Sequence, residues 1–236
     1  MNRILFEKEE ISGGVATFGG VRAEHVLKVL HGEVGQILKT GELDGPIGTG
    51  EITAIDGGRV TVRLTHDSEP LAPWVDLILA PPRPRIMKRL LPQLAALGVG
   101  RIVLVGAKKV EKDFWGATLL KEEIYRPLLA DGLMQAGTTA MPTVTAVRNF
   151  RKWLHEDLDR EFSSKRRIVA HPYGAEAQPD LGSPADRLLL AVGPEGGWTD
   201  EEVALLEERG FARYSLGPRI LRTDTAVVAL LARLMP

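Results

Sequence analysis

A chain of 236 residues, 44% hydrophobic and 26% charged with a formal net charge of −1, has ordinary globular composition, enough for one large domain or two smaller ones. It has no cysteine, which excludes disulfides, thiolate nucleophiles and cysteine-ligated zinc or iron–sulfur sites, and its five histidines (His25, His31, His66, His155, His171) form no HxxxH or HExxH. No apolar run approaches the roughly 20 residues that span a bilayer, and the N-terminus turns acidic before a signal-peptide core, so a cytoplasmic protein with no membrane segment and no metal is expected.

Residues 1–72 carry seven basic and eleven acidic side chains, a balance of −4, and read as β-rich. Short apolar segments at Gln36–Lys39, Gly50–Ile55 and Arg59–Leu64 are separated by glycine turns such as Asp56-Gly57-Gly58. Arg59–Leu64 alternates polar and apolar, as a half-buried antiparallel strand does. One helix interrupts them, Arg22–His31, with Val26, Leu27, Val29 and Leu30 as its apolar side. A small barrel with one helix fits this pattern. The prolines of Glu69–Trp74 suit an extended linker.

From residue 73 to 236 strands and helices alternate, the pattern of an α/β domain. Val75–Ala80 is a strand, and Arg85–Leu97 an amphipathic helix in which Pro92 predicts a kink or early end. Residues 83–112 hold eight cations against Glu111 alone, a balance of +7. Such a segment serves equally as a footprint for phosphates or as a solvated helix face with a basic loop. Strands follow at Arg101–Val105, Thr143–Val147 and Arg167–Ala170, with helices at Lys121–Gln135 and Phe150–Leu158. The apolar run Leu188–Val192 has the signature of a central parallel strand buried on both faces.

After that run comes Gly193-Pro-Glu-Gly-Gly-Trp-Thr-Asp-Glu-Glu-Val, whose glycines allow positive φ and close approach of a ligand to bare amides. Thr199 and Glu202 have capping-box spacing, and Gly210 suits the end of the helix they start. A strand, glycine loop and helix in this order hold a ligand beyond the strand's carboxyl end. There is no G-x-x-x-x-G-K-[ST], no G-x-G-x-x-G after a strand and no G-x-S-x-G. A glycine loop alone is more often a turn than a site. A strand Phe211–Leu216, the segment Gly217–Ala226 and an apolar helix to Leu234 complete the chain.

GPEGGWTDEEV (193–203) followed by SLGPRILRTDTAVVALL (215–231) resembles the paired signature of the SPOUT methyltransferase superfamily. Within it the chain is most similar to the family that methylates N3 of a uridine in small-subunit ribosomal RNA. His25 to Leu30 with Gly35 resembles the H-x-x-x-V-L-R-x-x-x-G block of that family's N-terminal domain. The resemblance implies a PUA-like β-barrel that binds RNA (1–72), then a SPOUT domain (73–236) with a parallel sheet and a C-terminal deep trefoil knot. It implies a homodimer whose pocket the partner completes, acting on 16S rRNA or the small ribosomal subunit. S-adenosylmethionine (SAM) would be held by His171, Pro172, Gly193, Pro194, Glu195, Gly196, Gly197, Leu216, Gly217, Ile220, Leu221 and Thr225.

For catalysis the resemblance points to Arg222 and Asp224. Arg222 would stabilise charge on the uridine as its N3 proton leaves. Asp224 would orient Arg222 or the substrate, or simply suit the helix dipole. Glu195 would organise backbone amides or meet the partner chain. Phosphate contacts fall to Arg3, Arg22, His25, Lys28, Arg83, Arg85 and Lys88, although His25 reads equally as a packed helix residue. Two departures stand out: His31 replaces the block's arginine, and Met134-Gln-Ala-Gly-Thr138 stands where the family has E-Q-x-x-R. They leave room for a SPOUT enzyme with another RNA target, or for a SAM- or RNA-binding module without catalysis.

Overall fold

The computed structural model describes residues 2–174 and 186–236. The chain divides into two compact units, Met1–Ala72 with Ala130–Met141, and Pro73–Leu129 with Pro142–Pro236. Among the described residues no helix is long and apolar enough to cross a membrane.

The first unit is built on β1 (Ile4–Phe6), β2 (Ile11–Ser12), β3 (Val15–Phe18), α1 (Gly20–Glu24), β4 (Ile37–Glu42), β5 (Ile47–Asp56) and β6 (Arg59–Ser68). Its sheet runs β1-β4-β5-β6-β3-β2, parallel only between β1 and β4. Gly57 and Gly58, with φ of 54° and 76°, supply the two positive-φ positions of the tight β5–β6 turn. Val60 and Val62 are buried with Phe6, Phe18, Ala23, Val26 and Ile52, while Arg59 and Arg63 point outward. The expected single helix at 22–31 is in fact two pieces. Beyond α1 the backbone widens over His25–Val29, where the Leu30 N–H reaches back five residues to the His25 carbonyl at 3.1 Å.

Residues 130–141, which the sequence places after residue 73 in the α/β part, group with the first unit. The Met134 carbonyl accepts from the Asn2 and Arg3 amides, each at 3.1 Å. Thr139 donates its hydroxyl to the Gly45 carbonyl at 2.6 Å and accepts the Asp44 N–H at 2.9 Å. These bonds join residues more than ninety positions apart, which no local pattern signals.

The second unit holds β7 (Val75–Leu79), α2 (Pro84–Ala96), β8 (Val99–Val105), the start of α3 (Glu122–Ala136), β9 (Thr143–Val147), α4 (Phe150–Glu156), α5 (Leu158–Glu161), β10 (Arg167–Ala170), β11 (Leu188–Val192), α6 (Asp200–Glu208), β12 (Ala212–Tyr214) and α7 (Thr223–Leu234). All pairings are parallel and the order is β12-β10-β11-β7-β8-β9, the expected α/β class. β11 is internal and buried at every position, as its unbroken apolar run requires. Pro92 does not end α2. The carbonyl whose helical partner it removes belongs to Lys88, an exposed residue.

One cation is built into this unit. Arg167, 4% exposed, donates to the carbonyls of Ser164 (2.9 Å), Arg209 (2.8 Å) and Phe162 (3.0 Å) and meets the Asp159 carboxylate at 2.7 Å. The hydrogen bond from Arg167 holds the Asp159 carboxyl below its ordinary value. Arg167→Met leaves those carbonyls unpaired and is expected to cost about 2–3 kcal/mol, read as a lower urea midpoint at unchanged slope. Because the Asp159 pKa is depressed, its contribution is present above the unfolded value near ~3.9 and is lost as pH falls through the folded one. The gap between wild type and variant should therefore narrow in acid.

Candidate active site

At their carboxyl ends the neighbouring strands β10, β11 and β12 deliver three loops to one edge of the sheet, residues 170–173, 193–199 and 214–221. Together with Lys109 and the inner face of α7 they enclose a cavity of about 450 Å³. That lies within the range of small-molecule sites, about 300–1,000 Å³, at the strand end where open α/β sheets bind ligands.

The glycine loop after β11 curls so tightly that a Cβ on Gly193 would sit 2.9 Å from the Trp198 amide nitrogen. Gly197 takes φ 68° and donates its N–H to the Pro194 carbonyl at 2.8 Å. The Thr199–Glu202 capping box forms as its spacing predicts. Glu202, 5% exposed, extends it: one carboxylate oxygen accepts the Thr199 N–H at 2.9 Å and the other the Lys108 N–H at 2.8 Å. The loop after β8 is thereby tied to the start of α6. The third loop is tied to the first, since Ser215 Oγ lies 3.3 Å from the Pro172 carbonyl and the His171 N–H donates to the Tyr214 carbonyl at 3.0 Å. Thr223, the first residue of α7, donates to the Gly193 carbonyl at 3.4 Å.

Of the twelve residues expected to hold the cofactor, all but Thr225 line this cavity. Thr225 is exposed, because α7 turns Thr223, Ala226 and Leu230 inward at helical spacing and Thr225 falls outside that stripe. Arg222 caps α7 with its side chain 71% exposed, its Nε 3.9 Å from one Asp224 oxygen, while Arg89 of α2 lies 3.6 Å from the other. Neither Arg222 nor Asp224 lines the cavity itself. Glu195 accepts the Arg83 amide at 3.3 Å. Lys109, Trp198 and Asp200 also line the cavity and were not singled out in the sequence. Lys109 lies 87 residues from the carbonyl it meets, so no spacing signals it.

The expected phosphate contacts of the first unit are largely engaged elsewhere. Arg3 donates to the carbonyls of Thr40 (2.6 Å), Gly48 (3.0 Å) and Gly137 (3.0 Å), and burial lowers its pKa. Arg22 donates to the Leu5 carbonyl at 2.7 Å and pairs with Glu10, whose carboxyl it holds below the ordinary range. Its guanidinium lies 5.5 and 5.6 Å from the Phe6 and Phe18 ring centres. His25 is half-buried with its Nε2 enclosed. Lys28 is exposed, 3.5 Å from Glu24. In the second unit Arg85 and Lys88 are exposed, and Arg83 pairs with Glu111 at 2.8 Å.

The RNA methyltransferase domain family matches residues 68–235. The chain is 33% identical to ribosomal RNA small subunit methyltransferase E of Treponema pallidum across 98% of its own length and 90% of that protein's. The chain belongs to the ribosomal RNA small subunit methyltransferase E family. The solved enzyme of that name from Neisseria gonorrhoeae, bound to S-adenosyl methionine, superposes with a TM-score of 0.79 at 25% identity, covering 99% of this chain and 96% of that one. A Legionella pneumophila protein solved with bound SAM gives 0.75 at 25% identity over the same shares. The methyltransferase E match spans both units, so the resemblance is not confined to the two signature segments.

Removing the buried brace tests how the site is held. Glu202→Ala leaves the Lys108 and Thr199 amides unpaired and is expected to cost about 2–3 kcal/mol in urea unfolding. Glu202→Gln, which keeps an acceptor oxygen, should lose less.

Proposed function

We propose that this chain is a SAM-dependent methyltransferase that modifies N3 of a uridine in 16S rRNA, acting on the RNA or the small ribosomal subunit as a cytoplasmic homodimer. One observation carries the reading: the two signature segments and His171-Pro172, far apart in sequence, converge on one cavity at the carboxyl ends of three parallel strands.

The cavity suits the cofactor's chemistry. Leu216, Ile220, Leu221 and Leu230 offer apolar surface for a nucleoside, while Lys109, Glu195, Asp200 and Arg219 bring charge to the lining. SAM, when bound, supplies a methyl group activated by its sulfonium. The glycine loop and the 216–221 loop would hold it, and the chain's further contribution is orientation, which lowers such barriers by roughly 7–11 kcal/mol. Arg222 would donate to the uridine carbonyl oxygens as the N3 proton leaves. Asp224, shared with Arg89, would hold it near the mouth. In this reading the first unit is a PUA-like RNA-binding barrel and the C-terminal chain forms a trefoil knot. The bond from Thr223 back to Gly193, and the packing of α7 on α2 while β12 lies at the opposite edge, support that course.

A second reading, methylation of a different RNA, is favoured by one feature. Arg3 and Arg22, expected on phosphates, are held inside the first unit.

Small subunits from a strain lacking the activity, incubated with labelled SAM and mapped by mass, should yield one N3-methyluridine in 16S rRNA. Label at another position or on another RNA selects the second reading, and no label alongside tight SAM binding refutes both. Arg222→Ala should slow transfer by about 10²-fold or more with SAM affinity within about threefold. Retained activity would remove Arg222 from the chemistry.

A further inference from the structure

The cavity's wall is uneven in charge. From residue 214 onward it is lined mainly by apolar side chains and backbone, with Arg219 its one cation there, while Lys109, Glu195 and Asp200 are the charged residues that line it from the other segments. Lys109 is set in place from both ends. Its backbone neighbour is fixed by the bond from the Lys108 N–H to buried Glu202 at 2.8 Å. Its ammonium donates to the Gly196 carbonyl at 2.7 Å. The stem lies across Gly196 so closely that a Cβ there would come within 2.9 Å of Lys109 Cδ. A side chain at position 196 would therefore have to displace the lysine stem. An ammonium has three donors, and the Gly196 carbonyl takes one.

We infer that Lys109 binds the α-carboxylate of the cofactor's amino-acid end and so sets which way round the cofactor lies. The inference rests on the SAM reading above. Of the groups that molecule presents, the nucleoside is neutral and the sulfonium and amine are cationic, so a fixed ammonium disfavours all but the carboxylate. The apolar residues of the lining, Leu216, Ile220, Leu221 and Leu230, then take the adenosine. The cationic role belongs to Lys109 rather than Arg219 because Lys109 alone of the two has its head group fixed by a cavity-lining carbonyl.

Ligand truncation tests this without reference to turnover. Calorimetry on wild type, Lys109→Met and Lys109→Arg would use SAM, S-adenosylhomocysteine and 5′-methylthioadenosine, which lacks the amino-acid end. Lys109→Met should weaken SAM and S-adenosylhomocysteine about tenfold or more, the scale of a charge-assisted hydrogen bond, and leave 5′-methylthioadenosine within about twofold. Lys109→Arg should retain most of the affinity. Equal weakening of all three ligands would mean that Lys109 only shapes the glycine loop, and no change in any would mean that it faces another partner; either overturns the inference. A wild-type protein that binds 5′-methylthioadenosine but gains nothing from the amino-acid end overturns it while leaving a nucleoside site. One that binds none of the three overturns the cofactor reading itself.

Discussion

A carboxylate with 5% exposure is costly to bury unless its oxygens are satisfied, and Glu202 meets that condition with amides from two different loops. Because one amide precedes α6 and the other follows β8, the same side chain that starts the helix also fixes the segment carrying Lys109. The geometry of the glycine loop depends on this. Lys109 returns the connection by bonding Gly196, so the loop is closed on both sides before any ligand arrives. A loop held in this way loses less entropy on binding, since preorganisation lowers the cost of ordering.

What could be read from the sequence and what could not divide along the range of the forces involved. The β11 run, the capping box and the paired glycines of the β5–β6 turn are consequences of neighbours in sequence, and each appears where its pattern stands. Thr225 shows the limit of that reading. The resemblance carries a segment onto the site, but the phase of α7 decides which of its residues turn inward, and that phase is set by packing. Residues 130–141 show a harder limit. Their tie to the first unit runs largely through backbone carbonyls that meet Asn2, Arg3 and Asp44, far away in sequence, and backbone groups leave no mark in side-chain pattern.

The cations of the first unit illustrate how a charge count misleads without burial. A balance of −4 over residues 1–72 looks unfavourable for phosphate binding, and the structure deepens the deficit by enclosing Arg3 and Arg22. Both act as connectors, one between carbonyls of the sheet and residue 137, the other between Glu10, Leu5 and two aromatic rings. Exposed positive charge remains in the first unit at Lys28, Arg59 and Arg63, and is also carried by the segment 83–112, where Arg85 and Lys88 of α2 are exposed. On the proposed function the salt dependence of RNA binding would then arise from these exposed side chains and not from Arg3 or Arg22.

The same separation of roles operates within the cavity at shorter range. Its glycines lie where backbone must come close, to Trp198 at Gly193 and to Lys109 at Gly196, so their bareness serves packing as much as ligand access. The apolar wall comes from α7 and the loop before it, whereas the clustered charges come from the 109 and 195–200 segments. A molecule with one apolar and one charged end has a single favourable orientation in such a space. Electrostatics of this kind discriminates between orientations more strongly than apolar contact does, because a buried mismatch of charge costs more than a lost methylene. The two kinds of wall come from different segments, and the parallel register of β10, β11 and β12 fixes where the loops that carry most of them leave the sheet.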